Sequence, residues 1–269
     1  MICFPHAKIN LGLTVINKRP DGYHNLETIF YPIQLKEALE IVPAQEFHFR
    51  QSGLEISGTA EENLVVRAYN LLKREFPCIG EVEIILHKAI PMGAGLGGGS
   101  SDAAEALLVL DRLFDLKLSQ SRLTALALEL GSDCPFFLQS GACFATGRGE
   151  ILKPVSVDLS PYVIMLVHPE TIINTSWAFA HIIPSEQSAD LLQIIQKPLE
   201  SWSNLLKNDF EIPVFNTYPQ LAEVKIKLYE TGALYASMTG SGSTIFGIFK
   251  KGKLPELSFS NARTTTIEG

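Results

Sequence analysis

The feature that most constrains this chain is a glycine-rich segment at residues 91–104, with the sequence PMGAGLGGGSSDAA. Five of the seven residues from 93 to 99 are glycines, so backbone amides there can approach a ligand without obstruction from side chains. Apolar residues at helical spacing predict a helix directly afterwards, at 102–114. A glycine loop that opens a helix is suited to bind phosphate, because unpaired amides and the helix dipole both favour negative charge.

Known phosphate-binding motifs differ from this segment in their spacing or context. A Walker A motif needs a lysine directly after the loop, but the first one here is Lys117. Gly93, Gly95 and Gly98 match the dinucleotide fingerprint, yet two helices in succession are predicted where a Rossmann unit needs a further strand. A protein-kinase glycine loop lies between strands. The remaining alternative, a flexible linker, is disfavoured by Pro91 and the alanine-rich helix.

Composition excludes several classes of protein. With 269 residues, 46% of them hydrophobic and 19% charged, the chain is expected to fold as one large domain or two intimate ones. No apolar stretch approaches the length of a membrane helix, which needs about 20 residues. The net charge of −7 offers no basic surface for nucleic acid or anionic lipid. An anionic ligand therefore needs a local source of attraction, which the glycine loop supplies.

The cysteines and the N-terminal sequence indicate a location. Four cysteines at wide spacing fit neither a disulfide scaffold nor a zinc site and are interpreted as reduced thiols. The first residues lack the basic and apolar pattern of a signal peptide. A cytoplasmic protein is expected.

The hydrophobic pattern predicts an α+β fold. Alternation at residues 6–15 predicts a half-buried strand on which Lys8 and Asn10 share the polar face, and residues 18–22 form a hairpin-type turn. A change of pattern near residue 155 suggests two domains, at 1–154 and 155–269. The pattern predicts nothing after Lys253. Further predicted elements are helices at 62–76, 121–130 and 219–229, and strands at 27–35, 81–88, 162–167, 234–238 and 244–249.

Five segments, in order along most of the chain, resemble the GHMP kinases. They are residues 5–13 (PHAKINLGL), 19–28 (RPDGYHNLET), 91–104, 131–137 (GSDCPFF) and 238–244 (MTGSGST). The resemblance implies a two-domain α+β kinase fold with the active site in the cleft between the domains. It implies ATP as the phosphoryl donor and Mg²⁺ as a cofactor, although no metal ligand is assigned. The partner is expected to be a small-molecule cytidine diphosphate substrate, with no nucleic acid or membrane, and the oligomeric state, monomer or homodimer, is left open.

The same resemblance assigns two catalytic residues. Asp133 matches the catalytic aspartate of the family, which accepts the proton of the attacking hydroxyl, and Lys8 matches its partner lysine, which stabilises developing negative charge. Phosphoryl transfer needs mainly positioning and charge stabilisation, which such a pair can provide. Each residue also has a plainer interpretation: Asp133 could cap a helix before Pro135, and Lys8 could be a solvated surface lysine.

The resemblance places the nucleotide on the glycine segment. The residues assigned to the phosphates are Pro91, Gly93, Gly95, Leu96, Gly97, Gly98, Gly99, Ser100 and Ser101. Asn63 and Lys88 match positions near the adenine, and both could instead be polar surface residues. The two serines could alternatively cap the helix. Asp102 stands where many relatives carry a small residue, and the spacing to Glu105 assigns it to a capping box.

Other matched positions lie on the side of the second substrate. These are Asn10, Tyr23, His24, Thr175, Phe179, Gly240 and Ser241. An aromatic ring beside an imidazole can stack on a pyrimidine and donate to it, although Tyr23 and His24 could be ordinary residues after a turn, Phe179 could be core, and Gly240 could belong to a plain hairpin. Two rival functions remain: a GHMP kinase for homoserine, mevalonate or a sugar, and a catalytically silent nucleotide sensor. Tyr23 and His24 disfavour the first, and the presence of Lys8 and Asp133 disfavours the second.

Overall fold

The computed structural model describes residues 1–55, 58–185, 190–259 and 261–269. The chain forms two compact units from interleaved segments. The first unit contains Met1–Ala7, Leu35–Met92 and Gly97–Ser140, and the second contains Lys8–Gln34, Gly93–Leu96 and Gly141–Gly269. The glycine-rich segment therefore contributes residues to both units. The domain boundary expected between residues 154 and 155 stays a prediction.

Strands and helices alternate irregularly along the described residues. The strands are β1 (Ile2–Cys3), β2 (His6–Lys18), β3 (His24–Lys36), β4 (Ala38–Pro43), β5 (His48–Gly53), β6 (Val82–Lys88), β7 (Cys143–Thr146), β8 (Ile151–Pro154), β9 (Tyr162–Pro169), β10 (Tyr235–Met238), β11 (Ile245–Lys250) and β12 (Ala262–Glu268). The α-helices are α1 (Leu64–Glu75), α2 (Gly98–Leu113), α3 (Gln120–Leu130), α4 (Thr175–His181), α5 (Leu191–Ile194), α6 (Trp202–Leu205), α7 (Glu211–Thr217) and α8 (Pro219–Glu230). Short 3-10 helices occupy Ala60–Glu62, Cys134–Leu138 and Leu199–Ser201.

The first unit contains a four-stranded sheet and three helices that share one apolar core. The strand order is β1-β4-β6-β5, with β4 antiparallel and β5 parallel to β6. Helix α1 makes the crossover from β5 to β6; it begins where Asn63 accepts a hydrogen bond from the amide of Val65 and ends before Pro77. Apolar faces of α1, α2 and α3 bury side chains such as Ile84 and Leu86 of β6. This packing fixes β6 and α2, the two elements that flank the glycine segment.

The second unit contains two antiparallel sheets, with strand orders β2-β3-β7-β8 and β10-β11-β9-β12. Helices α4, α7 and α8 contribute Ala178, Val214, Leu221 and Leu228 to its core. The β10–β11 pair presents the small-residue loop at 239–243, and β12, which the sequence pattern did not indicate, pairs with β9. The α+β class is confirmed, as are the predicted helices at 62–76, 121–130 and 219–229 and the predicted strands, within a few residues at most ends.

Strand β2 differs from the prediction of a half-buried strand. Every residue from Ala7 to Val15 is buried, including the polar side chains. Its backbone is bonded by a later segment: the Leu13 amide donates to the carbonyl of Lys207 at 2.8 Å, and the Val15 amide donates to Asp209 Oδ2 at 2.8 Å. Side chains on both faces of β2 are thus shielded from solvent by other parts of the protein. The alternation of polar and apolar residues in the sequence does not reveal this. None of the described helices combines the length and apolar character needed to cross a membrane.

Candidate functional site

The part of the glycine segment in the second unit packs tightly on the loop after β10. Gly95 has φ of +76°, and a Cβ atom there would lie 2.0 Å from the carbonyl oxygen of Thr239. The Thr239 hydroxyl donates to the carbonyl of Gly95 at 3.0 Å, and the Thr244 amide donates to that of Ala94 at 3.3 Å. Only glycine fits this approach. The two small-residue loops that the sequence analysis singled out thus hold each other's backbone.

The part of the segment in the first unit opens helix α2. Gly97, at φ of +74°, is the residue before the helix and has no side chain to bond its first amides. A Cβ on Gly98 would lie 2.9 Å from Ile90 Cγ2, so the close approach to Ile90, two residues after β6, also requires glycine. Amides left uncapped at the positive end of a sixteen-residue helix favour an anion. This geometry supports the predicted phosphate site at 97–101.

The capping prediction for Asp102 is wrong. Helix α2 begins at Gly98, four residues earlier than the sequence pattern indicated, so Asp102 lies within the helix and is 2% exposed. Its carboxyl Oδ2 accepts from Lys88 Nζ at 2.7 Å, so the side chain is directed to Lys88 and not to the start of the helix. Ser100 and Ser101 also lie inside the helix, which removes their interpretation as caps.

A cavity of about 180 Å³ lies beside the start of α2 in the first unit. Its walls come from β5, from the turn and 3-10 helix before α1, and from α2, and they include Asn63, Lys88 and Gly99. Asn63 also caps α1 through its side-chain oxygen. Lys88 is buried, so its interpretation as a polar surface residue is wrong. Three residues assigned to the nucleotide therefore line one cavity.

Lys8 and Asn10 form a buried polar network in the second unit. Lys8 is 3% and Asn10 is 1% exposed, and Lys8 Nζ donates to Asn10 Oδ1 at 2.8 Å. Asn10 Nδ2 donates to the hydroxyl of Thr28 at 2.9 Å, and the Asn10 amide donates to the hydroxyl of Thr239 at 3.1 Å. Lys8 Nζ also lies 5.0 Å from the centre of the Phe30 ring. Lys8 is thus not a solvated surface lysine.

Asp133 precedes the 3-10 helix Cys134–Leu138 of the first unit. It is half-buried, and its side chain makes no capping hydrogen bond to that helix although it stands at the capping position. The local turn is fixed by backbone bonds instead, from the Cys134 amide to Gly131 and from the Phe136 amide to Asp133. The interpretation of Asp133 as a simple helix cap therefore loses its support.

Aromatic residues assigned to the second substrate meet in the second unit. The His24 and Phe179 rings stack with centres 5.0 Å apart, and Phe179 contacts Phe210 edge-on at 4.8 Å. Burial, and then the nearby charge of Lys18, lower the pKa of His24, which favours the neutral imidazole. Tyr23 is 52% exposed, and the Arg148 guanidinium lies 4.4 Å from its ring centre. The stacked His24 and Phe179 rings form a partly exposed aromatic surface, and Phe210 lies buried beneath Phe179.

Thr175 and Ser241 also come together in this unit, with their hydroxyl oxygens 3.2 Å apart. The loop that carries Gly240 and Ser241 is held by Asn208, whose Nδ2 donates to the carbonyls of Met238 at 2.7 Å and Gly240 at 2.9 Å. Sequence reasoning missed Asn208, as it missed Thr28, Thr239 and Glu37. Thr28 and Thr239 fall inside segments that were singled out, but neither was assigned a task, and Asn208 and Glu37 carry no periodic or motif signal.

The described residues offer no preformed cluster of ligands for a metal ion. Among the described residues, no group of three histidine, cysteine, aspartate or glutamate side chains is arranged to hold an ion. These residues do not by themselves fit a resident Mg²⁺ site, whereas the uncapped amides of α2 fit an anion.

A glycine segment that opens a helix beside a cavity, on two compact α+β units, is the arrangement expected of a small-molecule kinase. The sequence matches the GHMP kinases N terminal domain over residues 63–141 and the GHMP kinases C terminal domain over residues 189–259. The chain belongs to the GHMP kinase family. A curated relative from Bacteroides thetaiotaomicron, named 4-diphosphocytidyl-2-C-methyl-D-erythritol kinase, is 49% identical and aligns over 95% of both chains.

Solved structures agree with this placement. The crystal structure of a 4-(cytidine 5'-diphospho)-2C-methyl-D-erythritol kinase is similar with a TM-score of 0.80 at 36% identity, covering 92% of this chain and 90% of that one. A mevalonate kinase structure has a TM-score of 0.74 at 14% identity, covering 100% and 98%. The second similarity concerns the fold alone.

Proposed function

We propose that this protein is an ATP-dependent kinase that phosphorylates the 2-hydroxyl of 4-diphosphocytidyl-2-C-methyl-D-erythritol, a step of the non-mevalonate route to isoprenoid precursors. The observation that supports phosphate binding is the start of α2, where the glycines leave the first backbone amides of the helix without a capping side chain. The choice of substrate rests on the 49% identity to the relative of that name. The free thiols of all four cysteines fit a reducing compartment, and we place the enzyme in the cytoplasm.

The nucleotide is assigned to the glycine segment and the adjoining cavity. The amides of residues 97–100 would bind the phosphates. The Ser101 amide already donates to the Gly97 carbonyl at 2.9 Å, so Ser101 would contribute its hydroxyl. Asn63 and Lys88 would contact the adenine in the cavity that they line. Pro91, Gly93, Gly95 and Leu96 are assigned to the same nucleotide on the glycine motif alone. Mg²⁺ would enter with the phosphates of ATP, because the described residues contain no acidic cluster to hold it.

In the proposed reaction Asp133 receives the proton of the acceptor hydroxyl, and Lys8 stabilises the negative charge that develops on the oxygen. The Lys8 ammonium is held in one position by Asn10, which is itself held by Thr28 and Thr239. Asn10 thus has a positioning task in addition to any contact with substrate. A fixed ammonium stabilises charge without reorganising during the reaction, which is the main contribution a protein makes to phosphoryl transfer.

The cytidine is assigned to the aromatic surface of the second unit. Stacked rings such as those of His24 and Phe179 offer an exposed face to a pyrimidine, and Tyr23 lies on the same hairpin. Thr175, Gly240 and Ser241 would donate from hydroxyls and backbone to the diphosphate. The neutral imidazole of His24 can either donate to or accept from the base.

A coupled assay of ADP release tests the substrate. The purified chain with Mg-ATP is supplied with 4-diphosphocytidyl-2-C-methyl-D-erythritol, mevalonate, homoserine, a sugar or no acceptor. Rapid turnover with the cytidyl compound alone is expected. Faster turnover with another acceptor would assign the chain to another GHMP activity, and ATP binding without any turnover would favour the nucleotide sensor.

A double-mutant cycle tests the catalytic pair. Asp133→Asn is expected to lower kcat by about 100-fold or more, the range of general base catalysis, while the Kd for ATP changes little. Lys8→Met should have a similar effect. If both residues serve the same proton transfer, the double variant loses much less than the product of the two single losses. Equal turnover of Asp133→Asn and wild type would remove Asp133 from the mechanism.

A further inference from the structure

Three ionisable side chains lie buried where β6 leads into the glycine segment of the first unit. Lys88 Nζ donates to Glu37 Oε2 at 2.5 Å and to Asp102 Oδ2 at 2.7 Å, and none of the three side chains is more than 3% exposed. Two carboxylates and one ammonium would leave an uncompensated negative charge in this buried position. A buried charge without a partner is costly. A carboxylate in such a position commonly takes up a proton, which removes the charge.

The two carboxyl groups differ in the donors they receive. Glu37 Oε1 accepts from the amides of Ile90 at 2.7 Å and Ala89 at 3.2 Å, so with Lys88 the group has three N–H donors. Asp102 receives Lys88 on Oδ2, and within the part of the chain that the structure describes no donor reaches its buried Oδ1. Donors stabilise a carboxylate, so Glu37 is the better anion and Asp102 the better site for a proton.

The remaining surroundings agree with this division. Burial first, and then a hydrogen bond with Glu37, raise the pKa of Asp102 well above its ordinary range, against the opposing effect of Lys88. Cys3 on β1 also faces Asp102, but burial raises the pKa of its thiol to about 12, so it is uncharged at neutral pH. Glu105, on the same helix as Asp102, faces Cys3 as well. No described cation other than Lys88 acts on Asp102.

We propose that Asp102 is a positioning residue that works as a neutral hydrogen-bond donor. Its protonated carboxyl donates to Glu37, which is left as the single anion holding Lys88 and the amides of residues 89 and 90 at the entrance to the glycine segment. The link between this cluster and ATP rests on the proposed function, because Lys88 and Asp102 line the cavity assigned to ATP. A cluster without net charge holds the backbone for nucleotide binding and adds no repulsion to the phosphates.

Asp102→Asn and Glu37→Gln form a matched pair of tests. The asparagine amide reproduces the protonated acid, since its nitrogen donates to Glu37 and its oxygen accepts from Lys88. We expect Asp102→Asn to keep the KM and calorimetric Kd for ATP within about twofold of wild type, whereas Glu37→Gln removes the only partner anion of a buried lysine and raises both by about tenfold or more. The KM for the second substrate should stay within about twofold in both variants, because a positioning effect at the nucleotide is confined to ATP.

The pH dependence of stability gives a second readout. Because the folded-state pKa of Asp102 lies above its unfolded value, the stability of the wild type is full below the ordinary aspartate pKa and falls as pH rises towards the folded pKa. Asp102→Asn lacks this loss. The urea midpoint of the variant relative to that of the wild type should therefore be higher at pH 8 than at pH 5.

Two results would overturn the proposal. The first is a urea midpoint of Asp102→Asn that is lower than that of wild type by the same amount at pH 5 and pH 8. The second is a loss of ATP affinity in Asp102→Asn as large as the loss in Glu37→Gln. If the variant does not fold, the carboxyl carbon signal of Asp102 in wild type, labelled with carbon-13, decides: the shift of a protonated acid at pH 7 supports the proposal and that of a carboxylate refutes it. Unfolding, calorimetry and the carbon signal need no turnover, so failure of the proposed function is recognised separately, in the coupled assay.

Discussion

The contact between Gly95 and Thr239 makes a quantitative prediction for Gly95→Ala. An alanine at φ of +76° is in the left-handed region, which costs a residue with a side chain about 1–2 kcal/mol. Its Cβ would also lie 2.0 Å from the Thr239 carbonyl oxygen, far inside contact distance, so backbone must move. Overpacking of this kind costs about 1–3 kcal/mol, which brings the expected loss to about 2–5 kcal/mol in the free energy of unfolding.

Gly93→Ala is the matched control. Gly93 has φ of +62°, but no atom lies within 4 Å of the position its Cβ would take. This variant should therefore lose only the backbone cost, about 1–2 kcal/mol. Any gain from a stiffer unfolded chain is the same in both variants and cancels in their difference. The difference between the two variants, about 1–3 kcal/mol, then isolates the contact with Thr239.

Urea unfolding followed by circular dichroism measures both variants, with fluorescence as a second probe to check for a single transition. The KM for ATP, measured alongside, should rise more for Gly95→Ala, because a displaced residue 95 shifts the backbone amides that begin two residues further along the chain, at Gly97. Equal losses of stability in the two variants would show that the segment and the Thr239 loop are not in the contact described, and the reasoning from close approach would fail.

Three further outcomes are expected. Phe179→Ala should raise the KM for the cytidyl substrate by about tenfold, within the range of one aromatic–base stack, while the KM for ATP stays unchanged; an effect on ATP alone would contradict the substrate assignment. Asn208→Ala should lower the free energy of unfolding by about 1–3 kcal/mol, because buried carbonyls of Met238 and Gly240 lose their donor, and a loss below about 0.5 kcal/mol would contradict this. The pKa of His24 is lowered from its ordinary 6.5 in the folded protein, so its contribution to the stability of the wild type is present above pH 6.5 and is lost as pH falls towards the folded pKa. His24→Asn should lack this acid sensitivity, which urea midpoints at pH 5.5 and 7.5 measure.

The elements that the sequence predicted well are those with local signals. Helix α1 has a repeating apolar face and a proline after its end, and the hairpin between β2 and β3 has a Pro-Asp-Gly turn. The fold class and the GHMP family were also accessible, because ordered motifs carry that information. Strand β12 could have been found from its run of β-branched residues at 264–267, although nothing local indicates that it pairs with β9.

The rest depends on contacts between residues far apart in sequence. Asp102 has the spacing of a capping box, but its actual partners are Lys88, 14 residues away, and Glu37, which lies 51 residues from Lys88 and binds it as well. Likewise, the polar face of β2 is covered through Thr239, 229 residues from Asn10. Local rules for helix caps and for strand alternation assume that polar side chains such as that of Asp102 face solvent. In the folded protein these side chains are instead surrounded by residues from distant segments. The roles assigned to Asp133, Lys8 and the substrate residues stay predictions until the variants are measured.

The interleaving of the two units has a consequence for synthesis on the ribosome. All residues of the first unit have been translated once Ser140 is added, whereas the second unit needs Lys8–Gln34 together with segments as late as β12. At about 5–20 residues per second the hairpin of β2 and β3 waits roughly 6–25 s for the sheet partners that follow. During that interval the apolar residues of the hairpin, Leu13 and Val15 among them, lack the core residues that bury them in the folded protein. The early strands of this kinase are therefore exposed to chaperones and to aggregation during that part of translation.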